Sequence, residues 1–350
     1  MSRLKVDNIE TRSGNNVAMD NALALKSYTT TQRDALTSVV GDLIYNSTLG
    51  FPQYYNGSTW EDMGNPIIDR IDYLVIAGGG SGGNGQDSAA NGGGGGAGGY
   101  RSSWNNETSG GGGSSESTIT TMTKNTNYAV QIGAGGAQNS YETGGDSFIK
   151  NTDTGLNITS AGGGNGGGWS GQSASNGGSG GGGGTPSGSS GGSGTTNQGY
   201  GGGTMESSSP WRGGGGGGAG EAGNTDGLSA GGDGVASTIT GSSVTRGGGG
   251  GGAGDGSLSP AGTGGGANGV TYQSGSHPAA ATANTGGGGG GGASRSWNKQ
   301  GSQGGSGVII LRYPNTFSIS FGAGITGTES TTGSDKYAVI TAGTGNISWS

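Results

Sequence analysis

Blocks of six or seven consecutive glycines constrain this chain more than any other feature. RGGGGGGAG spans residues 212–220 and recurs at 246–254, and a third block opens at Gly286. Glycine loses more backbone freedom on folding than any other residue, and fixing each residue costs about 1–2 kcal/mol, so an ordered block needs substantial compensation. Without it, the block is a Gly/Ser coil. One backbone form supplies the compensation. An extended left-handed helix with about three residues per turn and about 3.1 Å rise bonds nothing within itself and points every N–H and C=O sideways. Rods without side chains can then approach and bond to one another on several sides, which satisfies each buried backbone group. Gly213, Gly218, Gly247, Gly252, Gly286 and Gly292 bound the three blocks expected to form such rods.

The blocks also have an order. After each block come an alanine, a polar loop, a second glycine-rich stretch and, at a nearly constant interval, a valine: Val235, Val270 and Val308. That regularity predicts a repeating structural unit. The spacing of the two RGGGGGGAG copies suggests one full up-and-down excursion of the chain. Ala219 and Ala253 mark points where a methyl is tolerated, expected at the edge of the bundle.

Composition narrows the class. With 94 Gly, 7 Pro, no Cys and only 27% apolar residues among 350, too little side chain is present to fill the core of an ordinary enzyme. Collagen needs Gly at every third position with abundant Pro. Disordered tracts are usually rich in charge, and here charged residues are 11%. A formal net charge of −7 without a Lys/Arg run argues against nucleic acid and against anionic membrane surfaces. MSRLKVDNIE lacks an apolar h-region and no run approaches 18 apolar residues, so neither a secretory signal nor membrane insertion is expected. Without cysteine, neither disulfides nor thiolate metal sites can brace the chain.

Three segments follow. Residues 1–66 have ordinary Leu, Val and Tyr content; Thr31 to Asp34 has the form of a capping box, opening one short helix that ends near Gly41. Residues 42–46 (DLIYN) and 51–55 (FPQYY) read as a hairpin, followed by an Asn56-Gly57 turn. Residues 67–313 are glycine-rich and bracketed by two buried-strand runs, 71–77 (IDYLVIA) and 308–313 (VIILRY), with further strand candidates at 117–122, 128–132, 147–150 and 156–159. Residues 314–350 alternate apolar and polar and read as β-structure, either a terminal trimerising tip or a further strand layer. The expected fold is mainly β plus a polyglycine II helix bundle, with no α-helix beyond the short N-terminal one.

Familiar motifs fail on context. Residues 78–83 satisfy G-x-G-x-x-G, yet no helix can follow through the glycines beyond them. Residues 177–181 satisfy G-x-S-x-G, but the single histidine, His277, precedes Pro278 in a polar loop, where a solvated side chain is expected. Glu221, Asp226, Asp233 and Asp255 look scattered singly through loops, so neither a metal nor any other cofactor is expected. No catalytic residue is assigned.

The run TTTQRDALTSVVGDLIYNSTLGFPQYYNGSTWEDM (residues 29–63) resembles a short module common in bacteriophage tail fibres and related virion proteins, which implies an elongated homotrimer. DYLVIAGGGSGG, GGGGGAGGY, YAVQIGAGGA and GSGVIILRY, spread over residues 71–313, resemble the glycine-rich domain of phage tail fibres and tip adhesins. That resemblance implies a compact β region with a sandwich of polyglycine II helices, whose connecting loops touch the host receptor. One departure is that tip adhesins of large tailed phages are often separate subunits, whereas here a fibre-like module precedes the domain in one chain.

If each unit runs up, turns and returns, the turns at 100–109, 169–176, 221–230, 255–261 and 294–300 share one end. That end would offer Tyr100, Trp104, Asn105, Asn106, Trp169, Asn176, Asn224, Asp226, Asp255, Arg295, Trp297 and Asn298. Aromatic faces with amides and hydroxyls beside them suit a bacterial surface polysaccharide or an outer-membrane protein loop. The bland alternative is that the Trp rings only cap the glycine rods. The Trp211 and Tyr272 loops, and the arginines Arg212 and Arg246, are expected at the opposite end, facing the β region. The expected function is a non-enzymatic, extracellular virion adhesin whose partners are its own copies, other tail or baseplate proteins and the host surface. The competing expectation is a structural filament or spacer. An ice-binding role is less favoured, because small polyglycine proteins of that type rely on disulfides.

Overall fold

The computed structural model describes residues 24–63, 67–86, 90–169, 171–185, 189–208, 211–254, 256, 258–274, 276–293 and 300–350. The chain divides into two compact units, Met1–Pro66 and Ile67–Ser350. In the first, strands β1 (Ser27–Tyr28), β2 (Leu43–Asn46), β3 (Phe51–Tyr55) and β4 (Trp60–Asp62) form one sheet in that order. A single short helix, α1 (Thr30–Asp34), lies between β1 and β2 in sequence. Its capping box starts at Thr29 rather than Thr31. The Thr29 hydroxyl accepts from Gln32 N–H at 3.3 Å while Gln32 Oε1 accepts from Thr29 N–H at 2.9 Å. The helix also stops at Asp34, well before Gly41. Arg33 and Asn46 both donate to Gln53 Oε1, so polar side chains tie the helix to one face of the sheet.

The second unit contains β5 (Ile67–Ile68), β6 (Asp72–Ile76), β7 (Tyr100–Ser102), β8 (Met122–Thr123), β9 (Tyr128–Gln131), β10 (Ser147–Asn151), β11 (Leu156–Ser160), β12 (Val235–Ser237), β13 (Val244–Arg246), β14 (Val308–Pro314), β15 (Ile319–Phe321), β16 (Ile325–Thr332) and β17 (Asp335–Trp349). Nine strands join in the order β11-β10-β9-β17-β14-β6-β7, with β15 and β16 also on β17. The 117–122 candidate is reduced to a bridge at Ile119 and the start of β8.

The long strand β17 folds this sheet into two layers. Its first part pairs with β14 and β16, and its last part, from Thr344, pairs with β9 and β15. The bend falls at Gly343, whose φ of +107° and close approach to the Gly324 carbonyl exclude a side chain. Tyr73, Val75, Ile309, Leu311 and Tyr313 on one layer meet Tyr128, Val130, Ile149, Ile158 and Ile347 on the other. Trp349 sits between them, with its ring edge-on to Tyr128 and Tyr313 at 5.8 and 5.9 Å. The Ser160 hydroxyl donates to Val75 O and nearly closes the layers on each other. Residues 314–350 therefore complete this sheet and form no separate unit.

The strands β6 and β14 are buried on both faces. Their other face, Leu74, Ile76, Val308 and Ile310, packs against Tyr100, Ala219 and Ile239. This is why DYLVI and VIIL read as continuous apolar runs rather than alternating ones.

From the sheet edge the chain passes into glycine rods whose hydrogen bonds repeat every third residue. Gly92, Gly95 and Gly98 donate to the carbonyls of Gly292, Gly289 and Gly286. Gly93, Gly96 and Gly99 donate to Gly167, Gly164 and Ala161, while Gly94 and Ala97 donate to Gly214 and Gly217. All eight bonds measure 2.7–2.9 Å, and one rod is thereby held by three others. Falling partner numbers mark opposed rods and rising ones mark parallel rods.

That register overturns the expected directions. Gly213, Gly216 and Ala219 donate to Ala253, Gly250 and Gly247, so the two RGGGGGGAG copies run in opposite senses. The constant valine interval marks no common position either. Val235 and Val308 open strands at the sheet, whereas Val270 accepts from Gly254 and donates to Gly291 at the far end of the rods. Nor do the alanines lie at an exposed edge. Ala219 is buried against Tyr100 and Ile239, and Ala253 is buried with Val270 and Ala293, each filling a gap at a rod terminus.

Candidate functional site

The rods define two ends within the second unit. At the sheet end they join β6, β7, β10, β11, β12, β13 and β14. At the opposite, distal end the chain reverses in loops near Asn139, Trp169, Trp211, Asp226, Leu258 and Tyr272. Asn91, a residue of this end, donates through Nδ2 to Trp211 O at 2.6 Å and through its backbone N–H to the Thr185 hydroxyl at 2.7 Å. Arg212 bridges to Gly254 at the distal end, while Arg246 closes β13 at the sheet end, so the two arginines do not share an anchor.

The expected contact residues consequently separate. Tyr100 opens β7 and is fully buried, and burial pushes its phenol above the ordinary tyrosine value. Trp104, Asn105 and Asn106 form a tight turn beside it. The Trp104 ring lies 4.2 Å under the Arg312 guanidinium, and its Nε1 donates to Thr238 at 3.0 Å. Arg312 in turn binds Asp335 at 2.8 Å, and Asp335 pairs with Arg70. This half-buried ring spends one face and its N–H on the fold, while Asn105 and Asn106 beside it are exposed. Asn176 is also structural, since its Oδ1 accepts from Ser193 N–H at 2.7 Å.

At the distal end the placement is mixed. Trp169 is exposed there. Asn224 spends its side chain on the fold: Oδ1 accepts from Gly215 and Ser229, and Nδ2 donates to Thr204 O. The Trp211 and Tyr272 loops lie at this end and not against the sheet. Asp255, Arg295, Trp297 and Asn298 lie outside the described residues. Five of the six block-bounding glycines donate to other segments, Gly213 to Ala253, Gly247 to Thr285, Gly252 to Ser229, Gly286 to Ser306 and Gly292 to Gly83, while Gly218 donates within its own turn to Glu221.

Three carboxylates do converge, contrary to their scatter in sequence. Oxygens of Glu221, Asp226 and Asp233 lie within 4.8 Å of one another. The chain returns so that Asp233 N–H donates to Glu221 Oε1 at 3.2 Å. Burial raises the Glu221 carboxyl above its ordinary value and the Asp226 and Asp233 charges add to this, against the Asp233 N–H bond.

The motif glycines are occupied as well. Gly78, Gly79, Gly80, Gly82 and Gly83 donate to carbonyls of neighbouring segments, which leaves no nest of N–H groups facing a phosphate. Ser179 is buried inside the glycine bundle and its hydroxyl has no hydrogen-bond partner among the described residues, histidine included.

The sequence reading missed two distal leucines. Leu228 and Leu258 are 53% and 57% exposed, and each directly precedes a descending segment. Those segments are neighbours, because Gly231 donates to Pro260 O. An isolated leucine in a Gly/Ser turn, with no apolar period around it, was the available signal.

No curated protein and no solved structure matches the chain. The family model described as a glycine-rich domain matches residues 56–314, which is most of the chain, and the chain therefore belongs to that glycine-rich domain family.

Proposed function

We propose that this chain is a virion tail-fibre or adhesin subunit that recognises a bacterial surface through loops at the distal end of its glycine bundle. The observation that carries the reading is the division of labour in the second unit. The bundle is held mainly by backbone groups, with a few side chains such as Asn224 and Ser302 tying in, so the distal turns are free to carry Trp169, Leu228, Leu258 and their polar neighbours outward. Such a mixture of apolar area and directed polar groups suits recognition. The rods are polyglycine II helices in this reading, supported by the three-residue period of their bonds. Slow amide exchange throughout residues 92–99 tests that assignment, since a coil would exchange at the intrinsic rate.

The first unit serves as an attachment and trimerising module. Leu43, Tyr45 and Tyr54 share the sheet face opposite α1 and are 43%, 38% and 39% exposed, which supports burial against other copies of the chain. Light scattering of the full chain should give a trimer. The function itself is tested by binding labelled full-length protein to a panel of bacteria, with residues 225–228 replaced by Gly-Ser. Loss of cell binding by a folded variant supports the adhesin. Undiminished binding, or loss of assembly instead, favours a structural filament.

A further inference from the structure

We propose that a distal pocket between the turns near Leu258 and His277 binds a neutral saccharide unit; this rests on the adhesin reading and gives it a ligand class. The pocket has a volume of about 420 Å³, within the range of small-ligand sites. Its floor is a glycine-rich segment that includes Val270, and its walls carry Leu258 and Pro278 beside Asn268, Ser276 and His277.

Two of the polar groups are fixed with a donor to spare. His277 Nδ1 accepts from Gln300 N–H at 3.0 Å, so the neutral ring carries its proton on Nε2, which has no partner among the described residues. Asn268 Oδ1 accepts from Ala261 N–H at 2.8 Å, which sets the amide orientation and leaves the Nδ2 donors without a partner among the described residues. Among the described residues, no Lys, Arg, Asp or Glu lines the pocket. A phosphorylated or acidic sugar would find no counter-charge among them. A wholly apolar side chain of a protein loop would leave the donors of His277 and Asn268 unmet, at a cost. A ring with C–H faces and hydroxyl acceptors satisfies both kinds of wall.

The probes are neutral hexose and 6-deoxyhexose disaccharides, with uronic-acid disaccharides for comparison, titrated into the full chain and followed by saturation-transfer NMR and calorimetry. Ala279→Trp obstructs the pocket from an exposed position of its wall, and His277→Ala removes a donor without filling space. At least one neutral probe should bind, with affinity falling tenfold or more in Ala279→Trp and severalfold in His277→Ala, at unchanged melting temperature. Failure of every neutral probe, equal binding by Ala279→Trp, or preference for the acidic probes overturns the proposal. Cell binding by a chain that takes up no saccharide sinks the pocket and keeps the adhesin. Saccharide uptake without binding to any bacterium keeps the pocket and sinks the adhesin.

Discussion

Replacing Gly216 by alanine measures how much of the fold rests on bare backbone. A Cβ at Gly216 would land about 1 Å inside the 3.0 Å floor that real Cβ atoms keep, against the carbonyl of Gly95. That carbonyl belongs to the neighbouring parallel rod and cannot swing aside as a side chain would. The two rods must part. The bonds directly between them are Gly94 N–H to Gly214 O and Ala97 N–H to Gly217 O, each 2.9 Å. Opening both by an ångström leaves two buried N–H donors without partners, at about 1–3 kcal/mol each. The expected loss is therefore about 2–6 kcal/mol, a large part of the 5–15 kcal/mol of a typical domain. Gly201→Ala is the control, because its Cβ comes no nearer than 3.2 Å, to the Gly192 carbonyl, and the expected change is under about 1 kcal/mol. Urea unfolding followed by circular dichroism reads both. Wild-type stability in Gly216→Ala would show that the rods separate freely and that direct backbone contact does not hold the bundle.

Trp104→Ala should destabilise by about 2–4 kcal/mol through the lost Arg312 stacking and packing, whereas Trp169→Ala should change unfolding by under about 1 kcal/mol and reduce cell binding. Gly343→Ala should cost about 2 kcal/mol or more, because both its positive φ and the Gly324 carbonyl oppose a side chain, and a thermal melt checks it. Glu221 is a carboxyl whose folded value is raised, so the folded state holds its proton more tightly. Its contribution is greatest below the ordinary value of 4.5 and is lost as the pH rises through the folded value. Glu221→Gln should therefore gain stability relative to wild type at neutral pH and little below pH 4.5, as pH-resolved melts would read.

The strands were legible because their side chains carry information. DYLVI and VIIL announce burial on two faces, and residues 128–131, 147–151 and 156–160 alternate as half-buried strands do. The directions of the rods were not legible, because six glycines read identically either way and no side chain distinguishes one side of a rod from another. Trp104 looked like a surface ring for a different reason. Its partner Arg312 is remote in sequence, and only the return of β14 brings it overhead. The acidic trio was hidden likewise, since Asp233 reaches Glu221 only after the chain rounds the turn at Asn224.

The three-residue bonding period has a kinetic corollary. Sliding one rod by three residues restores the same pattern of donors and acceptors along its interior. Inside the blocks, neighbouring alignments are therefore nearly degenerate, and only the termini distinguish them. Ala219 must reach Tyr100, Ala253 must reach Val270, and Gly247 and Gly286 must turn with positive φ where the strands hand over. Folding becomes a search among frame-shifted lattices that is resolved at the rod tips. Shortening a block by one glycine should scramble that search more than shortening it by three.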